Sequence, residues 1–162
     1  MRVGMGCDIH PFDPSSKLFL GGVFFPSCSG LKGHSDADVV LHAVCDAILG
    51  AAGLGDIGEH FPDTDAAYKG KESIFFLEKV IQLVRQKGFY VGNIDITILA
   101  EIPKISPRKQ EMRNIIASVC EIDPDRVNIK ATTTEKLGAI GRSEGIATYA
   151  VATLESLRSD NG

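Results

Sequence analysis

The chain has 162 residues, 44% of them hydrophobic and 23% charged, and its 17 Lys and Arg against 21 Asp and Glu leave a net charge of −4. That length suits one domain with a substantial core, and the negative balance argues against a nucleic-acid binder that works by broad electrostatic attraction. No apolar run approaches the ~20 residues of a membrane span and no signal-peptide pattern is visible, so a single cytoplasmic domain over residues 1–162 is expected.

Cys7, Cys28, Cys45 and Cys120 are scattered without a C-x-x-C pair. Neither a zinc ribbon nor a disulfide framework is indicated, and reduced thiols fit best.

In chain order, MRVGMGCDIH begins as a strand that Pro11 is expected to stop. Strand alternation puts Asp8 and His10 on one face and Cys7 and Ile9 on the other, and Asp-x-His is a spacing at which two ligands can reach one cation. LFLGGVFFP, residues 18–26, reads as a hairpin turning at Gly21-Gly22. In residues 33–58, Val39, Val40, Ala43, Val44, Ala47, Ile48 and Ala51 recur at helical spacing, with Ser35 or Asp36 as N-cap and acidic residues in the first turn. Asp38, His42 and Asp46 stand four apart on the polar face of that helix. His42 is either a metal ligand with a carboxylate neighbour or a hydrogen-bonded core histidine.

DIGEHFPDTD, residues 56–65, is too polar and too rich in Gly and Pro for a regular element and reads as a mobile loop. Glu72 to Lys87 is a helix with Ile74, Leu77, Ile81 and Val84 inward and Gly88 as its stop. NIDITILA, residues 93–100, alternates as a strand, and EIPKI leaves its end as a loop. Ser106-Pro107 opens a helix to about Cys120, VNIKA is a further strand, and Thr132-Thr133-Thr134-Glu135 runs onto a helical turn ending at Gly138. Residues 145–157 form the last strand, with room for a bulge. The pattern predicts an α+β two-layer sandwich: a mixed, roughly four-stranded sheet with helices on one face.

Two candidate sites emerge. One gathers Asp8, His10, His34, His42 and Asp56. The other joins the loop after the Ile-rich strand to the Thr-Thr-Thr-Glu run, where hydroxyls and free N–H groups suit phosphate oxygens and Glu135 suits a hard divalent cation; an ordinary helix cap is the competing reading. His34, just before a helix start, is placed to stabilise phosphoryl charge.

GCDIH, GHSDADVVLHAVCDAILGAAGLGDIGEHFPDTD and VNIKATTTEKLGAIGRSEGIA together resemble the 2-C-methyl-D-erythritol 2,4-cyclodiphosphate synthase family, across nearly the whole chain. The resemblance implies a phosphorus–oxygen lyase of the non-mevalonate isoprenoid (terpenoid) route. It converts 4-diphosphocytidyl-2-C-methyl-D-erythritol 2-phosphate to the 2,4-cyclodiphosphate and releases CMP. A zinc-dependent phosphohydrolase and a noncatalytic nucleotide-binding module are the alternatives.

By the same resemblance Asp8, His10 and His42 bind zinc, and Glu135 binds a second cation, magnesium or manganese, that bridges the substrate phosphates. His34 and Thr133 match the transition-state stabilisers. Substrate contacts fall on Asp8, Ile9, His10, His34 and Ser35, on Asp56, Ile57 and Gly58, and on Phe61, Pro62, Asp63, Thr64 and Asp65. The cytidine pocket falls on Ala100, Glu101, Ile102, Pro103, Lys104, Ile105 and Ser106, with Thr132, Thr133, Thr134 and Glu135 beside it. The family is homotrimeric, with active sites between chains. Near Ala139 and Arg142 it has an axial cavity that can hold an isoprenoid diphosphate. Ala139 and Cys7 depart from the aromatic residues common at those positions.

Overall fold

The computed structural model describes residues 1–33, 35–68 and 70–157. In order the elements are β1 (Arg2–Leu20), β2 (Val23–Leu31), α1 (Val39–Ala52), the single turn α2 (Ile57–His60), α3 (Ser73–Gln86), β3 (Phe89–Leu99), α4 (Lys109–Cys120), β4 (Val127–Thr132), the single turn α5 (Gly138–Gly141) and β5 (Gly145–Ser156). The architecture is α+β as expected, but the sheet has five strands, ordered β2-β1-β5-β3-β4. It is mixed: β3 and β4 run parallel and the other neighbours antiparallel.

The fifth strand is β2, which joins the sheet because β1 runs past the stop expected at Pro11. β1 does not end there; it pairs with β5 as far as Pro11↔Gly145 and then with β2 from Phe12↔Leu31. A proline has no N–H to give a ladder, so it is tolerated where the strand exchanges partners, and its carbonyl still accepts from Lys32 N at 2.9 Å. The hairpin falls where expected: Leu20 faces Val23 across Gly21 and Gly22, whose φ of 58° and 78° suit the two-residue turn.

Helix α1 begins later than its polar prelude suggests. Its N-cap is Asp38, not Ser35 or Asp36, and its first turn carries no acidic residue. The Asp38 carboxylate accepts from Val40 N and Leu41 N, both at 3.1 Å, and also from Gly21 N at 2.9 Å and Gly22 N at 2.7 Å. One fully buried side chain thus caps the helix and fastens the hairpin turn to it. Asp38 is therefore not on a polar face with His42.

Three other boundaries move for local reasons. A 3-10 turn, Ser106–Arg108, precedes α4, and Ser106 makes no capping bond. Gly138 opens α5 rather than closing a turn, because Glu135 and Lys136 take positive φ and carry the chain out of helical geometry. The bulge lies on β3 between Val91 and Asn93, not on β5.

Ile94, Ile96, Ile98, Ala150, Ala152 and Leu154 point inward against Val40, Val44 and Ile48 of α1 and Leu77 and Val84 of α3, all buried. Each fully buried large aliphatic contributes about 1.5–3 kcal/mol relative to exposure. The opposite face of β1 and β5 leaves Val3, Met5, Ile9, Tyr149 and Val151 exposed, so the helices cover one face only. No helix among the described residues is long and apolar enough to cross a membrane. The four cysteines are free, with Cys45 and Cys120 buried.

Candidate metal centre

Strand β1 and helix α1 together build the site. Asp8 and His10 leave the inward face of β1, and His42 leaves the first full turn of α1 that packs over it, so a spacing of two in one element meets a single residue from another. Asp8 Oδ2 lies 2.9 Å from His10 Nε2 and 3.1 Å from His42 Nδ1. The three donor atoms lie within 4.8 Å of one another, and this is the one such metal-ligating cluster among the described residues.

The donor set fits a divalent ion. Bonds of ~2.0–2.1 Å in a tetrahedral arrangement put ligand atoms roughly 3.3 Å apart, close to the spacings here, and one carboxylate with two imidazoles is a common three-ligand set that leaves a position open. His10 Nδ1 lies 2.8 Å from the Lys32 carbonyl, which can only accept, so Nδ1 always carries a hydrogen; the neutral ring then has its lone pair on Nε2 for a metal, and the protonated ring donates from Nε2 to Asp8. Burial alone would raise the Asp8 carboxyl; in the metal-free protein the hydrogen bonds and charge that His10 and His42 offer when protonated overcome it and hold the group well below the usual carboxylate range. His10 moves up in return, chiefly through its hydrogen bond to Asp8, against the opposing effect of burial.

This cluster lies in a cleft of about 650 Å³. Of the residues expected at the site, Asp8, His10, Ser35, His42, Ile57, Gly58, Phe61, Asp63, Thr64 and Asp65 line it. Ile9 does not; it faces the other side of the sheet and is 58% exposed. Asp56 and Pro62 are exposed and do not line it; Asp56 is the N-cap of α2, accepting from Glu59 N at 3.0 Å. His34 lies outside the described residues.

The segment expected to be an irregular loop contains α2. Polarity hid this turn, since its support is tertiary: Ile57 N donates to Asp46 Oδ1 at 2.8 Å, and Phe61 packs on Phe76 and Tyr68 with ring centroids 5.2 and 5.3 Å apart. Asp46, four residues from His42 on α1, also lines the cleft, as do Tyr68, Phe76 and Ala66, to which no spacing in the sequence pointed as site residues.

The second candidate group is assembled elsewhere. Ala100 N donates to the Thr132 carbonyl at 3.0 Å, joining the ends of β3 and β4. The Glu101 carboxylate accepts from Thr134 N at 3.2 Å, Lys136 N at 3.3 Å and Lys136 Nζ at 2.7 Å, so it grips the Thr-Thr-Thr-Glu turn from below. Thr133 Oγ1 donates to Glu135 Oε1 at 3.0 Å, and Thr132, Thr133 and Glu135 are exposed. Ala100, Pro103 and Ile105 are buried, whereas Ile102, Lys104 and Ser106 face out. None of these residues lines the metal-site cleft. In register, Asp8 pairs with Thr148, Thr148 with Ile98 and Ile98 with Ala131, so the two groups stand three strands apart, roughly 14 Å at ~4.8 Å per strand. Ala139 is exposed on α5, and Arg142 pairs through Nε with Glu144 at 2.6 Å.

A helix-covered mixed sheet with a carboxylate and two imidazoles converging in an open cleft defines an α+β protein built to hold a divalent metal ion. The chain belongs to the YgbB family, whose sequence profile matches residues 1–155. It is 57% identical over 155 residues to the 2-C-methyl-D-erythritol 2,4-cyclodiphosphate synthase of Geobacter sulfurreducens, covering 96% of this chain and 99% of that one. It superimposes on the bifunctional IspDF of Campylobacter jejuni with a TM-score of 0.91 at 48% identity, over 96% of this chain and 42% of that longer one. On IspF of Plasmodium falciparum in complex with CDP the TM-score is 0.85 at 36% identity, over 97% of each chain.

Proposed function

We propose that the chain is a 2-C-methyl-D-erythritol 2,4-cyclodiphosphate synthase, a phosphorus–oxygen lyase of the non-mevalonate isoprenoid route. It converts 4-diphosphocytidyl-2-C-methyl-D-erythritol 2-phosphate to 2-C-methyl-D-erythritol 2,4-cyclodiphosphate and CMP. The observation that carries this reading is the Asp8, His10 and His42 cluster in its cleft, in a chain that matches synthases of that name along almost its whole length. One synthase domain over residues 1–162, in a cytoplasmic setting that suits four free thiols, belongs to the same proposal.

In the reaction an oxygen of the 2-phosphate bonds to the β-phosphorus, the anhydride bond to the α-phosphate breaks, and CMP leaves with the bridging oxygen. The substrate supplies its own nucleophile, so the protein needs positioning and charge neutralisation rather than a reactive side chain. Asp8, His10 and His42 would hold a zinc ion and Glu135 a magnesium or manganese ion, and these cations supply Lewis-acid polarisation and neutralise charge on the phosphates when bound. The backbone and side chains at Ile57, Gly58 and Asp63 to Asp65 orient the methylerythritol end in the cleft. Thr133, whose hydroxyl is within hydrogen-bond reach of Glu135, and His34 stabilise charge on the attacked phosphate.

The working form in this reading is a homotrimer in which the metal cleft of one chain meets the Ala100–Ser106 and Thr132–Glu135 surface of the next. Two features support it: the three-strand separation of those groups within a chain, and the apolar outward stripe where Met5 pairs with Val151 and Cys7 with Tyr149. Arg142 would have to exchange Glu144 for a phosphate to hold an isoprenoid diphosphate on the trimer axis.

Phosphorus NMR of the products tests the assignment. The lyase yields CMP and a cyclic diphosphate. A hydrolase would yield a ring-open product, and a binding module would give no turnover.

A further inference from the structure

The His42 ring is gripped on the side away from the metal position. Its Nδ1 faces Asp8, and its Nε2 lies 3.0 Å from Ser73 Oγ. Ser73 is the first residue of α3 and is fully buried, with 0% of its surface exposed. Its hydroxyl proton is already committed, because Oγ donates to Asp36 Oδ1 while the Ser73 backbone N–H reaches Asp36 Oδ2 at 3.1 Å. A hydroxyl has one proton, so Oγ has only a lone pair to offer His42. Nε2 must therefore carry a hydrogen, and in the neutral ring, the form that binds metal, this leaves Nδ1 bare and aimed at the position between Asp8 and His10. Ser35 Oγ stands 3.4 Å from both Ser73 Oγ and His42 Nε2 and serves mainly as acceptor for Ala37 N at 3.1 Å. Neither Asp36 nor Ser73 lines the cleft, so neither is placed to touch substrate.

We infer that Asp36 and Ser73 are positioning residues that fix the tautomer and orientation of His42 for metal binding, an inference that rests on the metal-centre reading above. The chain Asp36–Ser73–His42 does for this histidine what the Lys32 carbonyl does for His10, with a buried hydroxyl in place of a backbone oxygen. It also ties the start of α3 and the turn before α1 to the metal site, two segments that are 37 residues apart in sequence.

Zinc affinity by chelator competition, with the visible spectrum of the cobalt-substituted protein beside it, tests the relay independently of turnover. Ser73→Ala is expected to weaken zinc binding by about 10–100-fold and to shift the cobalt bands, while Ser73→Thr, which keeps the hydroxyl, stays within about threefold of wild type. Asp36→Asn leaves Ser73 in place but weakens its acceptor, so its loss has the same direction and is smaller; it carries the test if Ser73→Ala does not fold. Wild-type affinity and spectrum in folded Ser73→Ala or Asp36→Asn would overturn the relay, as would Ser73→Thr losing as much as Ser73→Ala. Failure of wild-type protein to bind zinc, with His42→Ala no different, would instead overturn the metal-centre reading and the relay with it.

Discussion

Gly6 lies so close to Ala43 that a Cβ added to it would sit 2.0 Å from the Ala43 carbonyl oxygen. No side chain fits between β1 and α1 at that level. This close approach is what brings His42, the residue just before Ala43, within reach of Asp8, two residues beyond Gly6. Gly6→Ala must push helix and strand apart, and is expected to cost about 1–3 kcal/mol or more and to weaken metal binding at the same time. Urea unfolding and metal titration of the same variant check the two halves.

His42→Ala should leave the fold standing, since His42 is half-buried beside the cleft while the rest of α1 carries the core contacts. In the proposed zinc site it removes a direct ligand, so its loss of zinc affinity should exceed the about 10–100-fold cost of losing an outer partner, and turnover should disappear. Circular dichroism with metal analysis tests this. Retained zinc and near-normal rates would remove His42 from the ligand set.

Asp38→Ala should be among the most damaging polar substitutions. It takes away a helix cap worth about 1 kcal/mol and strands the N–H groups of Gly21 and Gly22 at about 1–3 kcal/mol for each that stays dry. A fall of about 3 kcal/mol in unfolding free energy is expected. Asp38→Asn, which keeps one acceptor oxygen, should lose less.

With zinc at the proposed site, the titration of His10 should give the metal-free and zinc-loaded proteins opposite responses to pH. Its folded pKa is raised above the ordinary 6.5 by the Asp8 hydrogen bond, so in the metal-free protein the pair stabilises fully below 6.5 and that contribution is lost as pH rises through the raised value. Asp8 is depressed, so its share is present above the ordinary carboxylate range and is lost only as the solution becomes strongly acidic. Zinc must displace the His10 proton, so its affinity should fall as pH drops through that raised value. Thermal melts with and without zinc across this range should show the stabilisation by metal growing toward alkaline pH. Zinc stabilisation independent of pH would exclude His10 as a ligand.

If the proposed trimer shares its sites, two dead variants should rescue one another. Asp8→Ala breaks the metal side, and Thr133→Ala with Glu135→Ala breaks the nucleotide side. Each mixed trimer then contains one interface of three built from two intact halves, so co-refolding should restore a fraction of wild-type activity. Confirmed mixed trimers that remain inactive would place the complete site within one chain.

What the amino-acid sequence determined by itself is whatever depends on near neighbours. The Ile94, Ile96, Ile98 alternation, the aliphatic stripe of α1, the α3 stripe stopped at Gly88 and the turn at Gly21-Gly22 are set by periodicities of 2 and 3.6 and by positive φ, which act over a few residues. The Asp8-x-His10 spacing was legible for the same reason. Tertiary structure decided the rest. Pro11 reads as a stop until two partner strands are present to share β1, and α2 reads as loop until Asp46 and the Phe76 and Tyr68 rings support it. Asp38 reads as one of a polar row until the hairpin comes to bond it, and Ser73 carries no local sign of facing His42 from 31 residues away. Such contacts form only when segments distant in sequence meet in a shared core, where a buried polar atom must find a partner or pay its desolvation cost.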